Sequence, residues 1–557
     1  MSEILVGQYL LRRLSELGVG TVFGVPGDYE LALLNLIPEE GLSWVGTPNE
    51  LVGAYAVDGY ARTKRTPGAL ITTFGPGELS ALCGIAGSYT EFVPVVHIVG
   101  YPKSAVQASG KIVHHTLGDL NYRHYLKMSD EISCATTVLT DASTAAAEID
   151  RVLNAMLYHS QPVYIGVSED IAYSKISAAG LETPLAKALP KNDLEVEDKV
   201  IGEILATLEE SKNPVIIIDG GEARTSWEHN GTALINALRV PFVTTVLGKG
   251  IVNEQDELYR GCYSGYASWE AAVKTVDASD CVLRLGNFPA DLNTGMFSEH
   301  LKSSKVIEFH RFSVKIGNAT YDVKMDHVLP RLVDSIQKHG PFLTHEAPKE
   351  FAGLEPVPMP KIIGQDWLWN RMSSYLQPGD LVLTETGTTQ FGFQQTRMPA
   401  NSRNFTQGVW GSIGYASGSA VGASIAAKEL GNYKRLVLIT GEGSLQLTVQ
   451  ALSLLNRHGI PPVVFVLNNA GYTVERYFEG WDAEYNDVPL WEYGSLFTSL
   501  SPNVKTKTFK VDTAEALDKL LSDEEFQNAS FPQCVDMIMD DKDAPTTMKA
   551  LFWNKAN

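Results

Sequence analysis

The sequence predicts an α/β protein built from three doubly wound parallel-sheet domains. Short apolar runs typical of buried strands alternate with helical patterns along the chain, and two proline-containing stretches without periodicity interrupt the alternation. Strands separated by helices form parallel sheets that are covered by helices on both faces. The expected domains are residues 1–175, 199–340 and 362–557, with linkers at 176–198 and 341–361.

The first domain begins with an amphipathic helix whose apolar spacing runs from Val6 to Leu17. Another helix is expected to start at Glu50, with Asn49 as its N-cap. Apolar runs predict strands at 21–25, 69–74, 94–100 and 163–167. A Pro-Gly turn places Asp28 directly after the first of these strands. An acidic side chain is therefore expected at the carboxyl edge of this sheet.

The second domain repeats the alternation of strands and helices. Its strands are predicted at 214–219, 241–246, 280–286 and 305–310.

The third domain contains a strand at 381–387 and a strand-turn-helix-strand unit. In that unit, strand 436–439 leads into Gly441-Glu442-Gly443-Ser444, a single helix is expected over 445–455, and strand 463–467 ends at Asn468-Asn469. Glycine turns allow backbone N–H groups to approach a phosphate. The Glu442 carboxylate and an Asn amide oxygen are hard donors suited to Mg²⁺. This unit predicts a site for a magnesium diphosphate.

Composition excludes several classes of function. The net charge of −20 over 557 residues disfavours nucleic acids and acidic membranes as partners, and no apolar run approaches the length of a membrane span. The five scattered cysteines include no C-x-x-C pair and are expected to be buried thiols, and the first residues do not have the pattern of a signal peptide. The sequence therefore indicates a cytoplasmic protein.

Eight segments, in order, resemble one family of enzymes. They read FGVPGDYE, NELVGAYAVDGYAR, TTFGPGELSAL, KIVHHTLGD, ETGTTQFG, VWGSIGYASG, GEGSLQLTVQ and NNAGYTVER. The sequence is similar, over essentially its whole length, to thiamine-diphosphate-dependent 2-keto acid decarboxylases of the pyruvate decarboxylase type. The resemblance makes the three domains pyrimidine-binding, middle and diphosphate-binding. The family motif has GDG followed after roughly 25 residues by NN, and here its acid is Glu442.

The resemblance implies how thiamine diphosphate is held and activated. Glu50 matches the acid that drives the aminopyrimidine ring to its imino form, which then removes the C2 proton to give the ylide. Gly411 and Ile413 match the carbonyl and the apolar side chain that keep the cofactor bent. The further cofactor-binding residues that it implies are Thr388, Gly443, Ser444 and Asn469.

The resemblance also implies residues for proton transfer, because the enamine formed after CO₂ loss must be protonated and the aldehyde released. These residues are Asp28, His114, His115 and Glu475. Glu475 is expected to have a raised pKa beside an apolar pocket. Two neighbouring histidines are not expected to share one metal ion. Alone, Asp28 would more often be a turn residue.

The implied metal ligands are Glu442, Asn469 and the carbonyl of Gly471. Glu is one C–C bond longer than the family's Asp, and Mg²⁺ demands near-ideal octahedral geometry. With the longer side chain, either the turn retreats, or the metal binds more weakly, or a larger ion is preferred.

The implied substrate pocket is lined by Thr386, Gln390, Val474 and Phe478, with Leu292, Leu551 and Phe552 closing it. The expected reaction is the non-oxidative decarboxylation of a 2-keto acid, most simply pyruvate, to an aldehyde and CO₂. The alternatives are decarboxylation of phenylpyruvate, indolepyruvate or branched-chain keto acids and, more remotely, a non-catalytic scaffold. The family shares its site between two chains, which implies a homo-oligomer, a tetramer in most members.

Overall fold

A computed structural model describes residues 3–221, 224–301, 305–339 and 356–552. Within these ranges no helix has both the length and the apolar character needed to cross a lipid bilayer. The predicted linker at 341–361 lies mostly outside the described residues.

The first sheet has six parallel strands in the order β3-β2-β4-β5-β7-β6, and β1 pairs separately with β8 in antiparallel fashion. The strands are β1 Glu3–Leu5, β2 Thr21–Gly24, β3 Ser43–Gly46, β4 Gly68–Thr73, β5 Val95–Tyr101, β6 Ala135–Leu139, β7 Val163–Ser168 and β8 Lys175–Ser177. The α-helices are α1 Val6–Glu16, α2 Leu31–Leu34, α3 Glu50–Lys64, α4 Pro76–Thr90, α5 Ser104–Ala108, α6 His124–Asp130, α7 Ala142–His159 and α8 Glu169–Ala172. Strands β4 and β5 are buried along their whole length, as expected of strands covered on both faces.

The second sheet has seven strands in the order β11-β10-β9-β12-β13-β14-β15. They are β9 Pro214–Ile218, β10 Phe242–Thr244, β11 Tyr259–Cys262, β12 Cys281–Leu285, β13 Lys305–Phe309, β14 Val314–Ile316 and β15 Ala319–Tyr321. The α-helices are α9 Leu194–Glu210, α10 Arg224–Leu238, α11 Glu270–Asp277 and α12 Met325–His339. The last two strands run antiparallel to their neighbours, so the sheet is mostly rather than wholly parallel.

The third sheet has six parallel strands in the order β17-β16-β18-β19-β21-β20. They are β16 Asp380–Thr384, β17 Arg403–Phe405, β18 Arg435–Gly441, β19 Pro462–Asn468, β20 Lys507–Val511 and β21 Gln533–Ile538. The α-helices are α13 Gln365–Tyr375, α14 Thr388–Phe393, α15 Tyr415–Leu430, α16 Glu442–Thr448, α17 Ala451–Leu455, α18 Thr473–Glu479, α19 Tyr493–Ser499, α20 Ala514–Leu521, α21 Glu524–Gln527 and α22 Thr546–Phe552.

Three details differ from the sequence predictions. The helix expected over 445–455 is two short helices, α16 and α17, and Leu447 is exposed rather than buried. Cys83 is exposed, although burial was expected for all the thiols. The edge hairpin β14–β15 was not predicted, because its strands have only three residues each; they are joined by the two-residue turn Gly317-Asn318.

Contacts divide the chain into two compact units. One comprises Met1–Ala188, Ser417–Gly431 and Thr448–Ile460, and the other comprises Leu189–Ala416, Asn432–Leu447 and Pro461–Asn557. In the first unit α15 packs closely on α3, because a Cβ on Gly59 would lie 2.0 Å from the Ser419 carbonyl oxygen. The domain boundaries inferred from the sequence remain predictions.

Candidate active site

Asp28 and His114 form a hydrogen-bonded pair in the first unit. Asp28 follows β2, and its Oδ2 lies 2.8 Å from Nε2 of His114. The ring of Tyr29 stacks on the His114 ring at 4.8 Å, and the Tyr29 hydroxyl donates to the His114 carbonyl oxygen at 3.2 Å. Both partners of the pair are about half exposed, so a bound molecule could reach them. The arrangement suits transfer of a proton between an imidazole and that molecule.

His115 has a left-handed backbone, with φ of 69°, and this places its ring against that of His114 at 4.8 Å between centroids. Its carbonyl oxygen accepts a hydrogen bond from the Tyr125 hydroxyl at 2.9 Å. Its buried Nδ1 has no hydrogen-bond partner among the described residues. One ligand atom from each of Asp28, His114 and His115 lies within 4.8 Å of the others. The sequence prediction that neighbouring histidines do not share one metal ion stays a prediction, although the loop does bring one ligand atom of each histidine close to the Asp28 carboxylate.

A buried network that the sequence did not predict supports this loop. Glu78 Oε1 accepts from the Gly75 N–H at 2.8 Å, and Glu78 Oε2 accepts from the Tyr164 hydroxyl at 2.7 Å. Burial raises the pKa of Glu78 to about 7. A Cβ on Gly75 would lie only 2.3 Å from the His115 carbonyl oxygen, so the Gly75 turn and the histidine loop are in close contact. The signal available in the sequence was an acid three residues after a glycine turn.

Glu50 is the first residue of α3, as predicted, and Asn49 caps the helix by accepting from the Val52 N–H at 2.8 Å. The Glu50 side chain is half-buried, and burial raises the pKa of its carboxyl group. A Cβ on Gly77 would lie 3.1 Å from Glu50 Oε1, which places this carboxyl group beside the turn after β4.

The three predicted metal ligands meet in the second unit. Glu442 Oε1 accepts from the Gly471 N–H at 2.7 Å. One end of the Asn469 amide lies 2.7 Å from Thr473 Oγ1, and the other end lies 3.0 Å from the Gly471 carbonyl oxygen and 3.1 Å from both Glu442 carboxylate oxygens. With its NH₂ turned toward these three oxygens, the amide donates to them. With its oxygen turned toward them, four oxygens converge, which is a donor set for a hard cation.

The turn after β16 and the loop before α15 lie side by side. A Cβ on Gly411 would be 3.8 Å from Cγ2 of Thr386, and a Cβ on Gly387 would be 4.0 Å from Val474. Thr388 begins α14 and is buried, whereas Ile413 is half-buried in the loop.

The predicted diphosphate turn is closely packed. Gly443 and Ser444 are buried in the first turn of α16, and a Cβ on Gly443 would lie 2.7 Å from the ring of Tyr472. The residue after Asn469, Ala470, has a φ of 57°.

Glu475 lies in the first turn of α18, four residues after the Gly471 carbonyl. Its side chain reaches solvent in the single chain, and desolvation by neighbouring groups raises the pKa of its carboxyl group. The direction agrees with the sequence prediction. Burial raises the pKa of the Tyr472 hydroxyl, and the nearby charges of Glu475 and Glu442 raise it further.

Most of the predicted pocket residues form one apolar cluster: Phe391, Tyr477, Ala544, Met548 and Phe552 are buried there, with Leu292, Val474, Phe478, Trp481 and Leu551 packed against them. The Phe478 and Phe552 rings lie 4.4 Å apart. Gln390 does not belong to this cluster. It is 3% exposed, and both polar atoms of its amide have no hydrogen-bond partner among the described residues.

The chain matches three family models over most of its length. Residues 4–132 match the N-terminal TPP binding domain of thiamine pyrophosphate enzymes, residues 201–328 match their central domain, and residues 385–523 match their C-terminal TPP binding domain. Of the predicted site residues, Asp28, Glu50 and the two histidines fall in the first match, and the metal set falls in the third.

Several curated relatives cover almost the whole chain. Pyruvate decarboxylase of Candida glabrata is 41% identical over 562 residues, covering 98% of this chain and 97% of its own. Pyruvate decarboxylase isozyme 1 of Saccharomyces cerevisiae is 41% identical over 551 residues, covering 98% of each chain. Pyruvate decarboxylase of Hanseniaspora uvarum is 41% identical over 556 residues, covering 99% of this chain and 98% of its own.

Proposed function

We propose that this chain, which belongs to the thiamine pyrophosphate enzymes and among them to the pyruvate decarboxylase family, catalyses the non-oxidative decarboxylation of pyruvate to acetaldehyde and CO₂. The observation that carries the proposal is the convergence of Glu442, Asn469 and Gly471 at the carboxyl ends of two adjacent strands. Ligands of open α/β sheets bind at that edge. The full-length relatives named pyruvate decarboxylase support pyruvate as the substrate.

The described residues fit thiamine diphosphate and a divalent cation. The oxygen cluster around Asn469 suits Mg²⁺, and the Gly443–Ser444 turn follows β18 at the position where a diphosphate would meet backbone N–H groups. Gly411, Ile413 and Thr388 would hold the remainder of the cofactor. When bound, the cofactor supplies the carbon nucleophile and accepts the electrons released with CO₂.

The protein's own residues would hold and move protons. The half-buried Glu50, with its raised pKa, would hydrogen-bond an aminopyrimidine nitrogen. The imidazole of His114, held by Asp28, would give or take a proton at the substrate carbon or oxygen, with His115 beside it. Glu475, with its raised pKa, would give a proton to the substrate carbon after CO₂ has left.

Pyruvate is favoured over larger keto acids by the aromatic cluster. The close approach of Phe478 and Phe552 leaves little depth for an aromatic substrate side chain. Decarboxylation of phenylpyruvate, indolepyruvate or branched keto acids is the second candidate. One extra methylene changes specificity by only about 10–200-fold in an apolar pocket.

The protein would act in the cytoplasm as a homo-oligomer, at least a dimer and as a homotetramer in its full assembly. Exposed apolar side chains support association. Ile112, Leu117 and Leu120 are exposed beside the histidines, and Tyr485 and Leu490 are exposed in the second unit. Contiguous exposed apolar patches mark surfaces that bind other proteins.

The deciding experiment is CO₂ and acetaldehyde release from pyruvate by the purified chain with added thiamine diphosphate and Mg²⁺. Turnover that depends on both additions is expected. Phenylpyruvate and a branched keto acid are assayed in parallel, and faster turnover of either would transfer the assignment to the second candidate. No turnover of any keto acid by a chain that binds the cofactor would favour the scaffold alternative.

A further inference from the structure

Glu385 is a completely buried acid at the carboxyl end of β16, where the third sheet presents the predicted cofactor residues. Its backbone N–H donates to the Ile439 carbonyl oxygen at 3.0 Å, which fixes the residue to β18. Neither the sequence prediction nor the resemblance assigned a role to this side chain.

The Glu385 carboxyl group accepts hydrogen bonds from three different segments. The Thr386 N–H donates to Oε1 at 3.1 Å, and the Thr440 hydroxyl lies 3.4 Å from Oε2. The N–H groups of Gly414 and Ala416, where α15 begins, also donate to this group. One side chain therefore connects the turn after β16, the end of β18 and the loop before α15.

Each connected segment carries predicted cofactor residues. Thr386 precedes Thr388, and Thr440 stands two residues before Glu442 in the chain. The loop held through Gly414 contains Gly411 and Ile413.

The connection between these segments depends on the two oxygen acceptors of the Glu385 carboxyl group. Burial raises the pKa of Glu385 to about 8, and the backbone donors oppose that shift. Removing both oxygens leaves these buried N–H groups without acceptors, which weakens the hold on all three segments. Glutamine retains one acceptor oxygen, so it is expected to preserve part of the connection.

We propose that Glu385 is a positioning residue that sets the loop 411–416 and the turn 386–388 in the geometry that binds thiamine diphosphate. The inference rests on the proposed function. A positioning role differs from a purely structural one, because it changes cofactor affinity more than it changes the stability of the chain without cofactor.

The test compares Glu385→Met, Glu385→Gln and a matched control, Asp380→Asn. Asp380 is a buried acid at the opposite end of the same strand, where it accepts from Arg435 at 2.7 Å. For each full-length protein, the unfolding midpoint is measured without cofactor, and thiamine diphosphate is then titrated at fixed Mg²⁺. Half-saturation is read from the rise in the midpoint and from the total tryptophan fluorescence, to which Trp410, exposed beside Gly411, contributes.

We expect half-saturation to move to about tenfold or more higher cofactor concentration in Glu385→Met, and by less in Glu385→Gln. Asp380→Asn is expected to lower the cofactor-free midpoint without moving half-saturation. Half-saturation equal to the parent's in Glu385→Met overturns the inference, and if that variant does not fold, Glu385→Gln decides by the same criterion. A parent chain that gains no stability from the cofactor overturns the proposed function itself, and this inference with it.

Discussion

The backbone N–H of Gly471 donates to the Glu442 carboxylate across 2.7 Å, so the acid of the turn after β18 reaches the loop after β19. Glutamate is one methylene longer than the family's aspartate, and its side chain contacts both Gly471 and the Asn469 amide. Burial raises the pKa of Glu442 to about 7. The long side chain is thus accommodated by bringing its oxygens close to the other predicted ligands.

This geometry predicts a changed preference between metal ions. Glu442→Asp shortens the side chain by one methylene and restores space for the octahedral shell of Mg²⁺, whereas the parent should tolerate the longer Ca²⁺–oxygen distances better. We expect the variant to bind thiamine diphosphate more tightly in Mg²⁺ and to lose relative affinity in Ca²⁺. Titrations of cofactor in each metal measure this, and equal values for both proteins would refute it.

The Asp28–His114 pair predicts a loss of catalysis without a loss of cofactor binding. Asp28→Asn removes the carboxylate that orients the imidazole, and kcat/KM is expected to fall about 10²–10⁴-fold. The matched control is Asp119→Asn, which alters a similar pair with His124 at 2.5 Å. Steady-state kinetics with pyruvate distinguish the two, and equal losses in both variants would contradict the assignment.

Glu50 predicts a defect in cofactor activation. Glu50→Gln keeps the shape of the side chain but cannot exchange a proton with the aminopyrimidine ring, so hydrogen–deuterium exchange at the cofactor C2 position should slow by at least about 100-fold. Glu270→Gln is the control. Glu270 also begins a helix, but unlike Glu50 it is exposed. NMR of the bound cofactor after rapid quenching gives the exchange rates, and unchanged exchange in Glu50→Gln would remove Glu50 from this role.

Long apolar strands and glycine turns were the predictable part of this structure. Strand β18, the turn at Gly441 and strand β19 were read correctly because buried parallel strands are continuous apolar runs. The sequence also predicted that Glu442 and the Asn pair at the end of β19 lie close together, since adjacent parallel strands end at the same edge, whereas Gly471 came from the family resemblance.

Other features depended on contacts that no local pattern reveals. The convergence of His114 and His115 follows from a positive φ at His115, where the sequence has no glycine to indicate it. Glu78 and Glu385 resemble ordinary surface acids in the sequence, and only the folded chain shows that both are buried and that backbone N–H groups donate to them.

Substitution of Gln390 is expected to change which keto acids the enzyme accepts. Its buried amide has no partner among the described residues, so an apolar substrate side chain placed there would keep it unsatisfied. Gln390→Leu should therefore raise kcat/KM for a branched keto acid relative to pyruvate by about tenfold. The ratio of the two substrates in one enzyme preparation is the measurement. An unchanged ratio would place Gln390 outside the pocket.

We expect ionisation of Glu475 to cause the fall in rate on the alkaline side of the pH–rate profile. Desolvation raises its pKa, which extends the protonated form to higher pH than an ordinary glutamate would allow. With the protonated carboxyl group as the active form, the rate is at its maximum below this pKa and falls as the pH rises through it.

The Glu475→Gln side chain cannot ionise. Its rate should therefore be lower at every pH, and the fall that Glu475 causes should be absent. The measurement is the dependence of kcat/KM for pyruvate on pH in the parent and in Glu475→Gln. A variant whose profile keeps the parent's shape would show that the fall is not caused by Glu475.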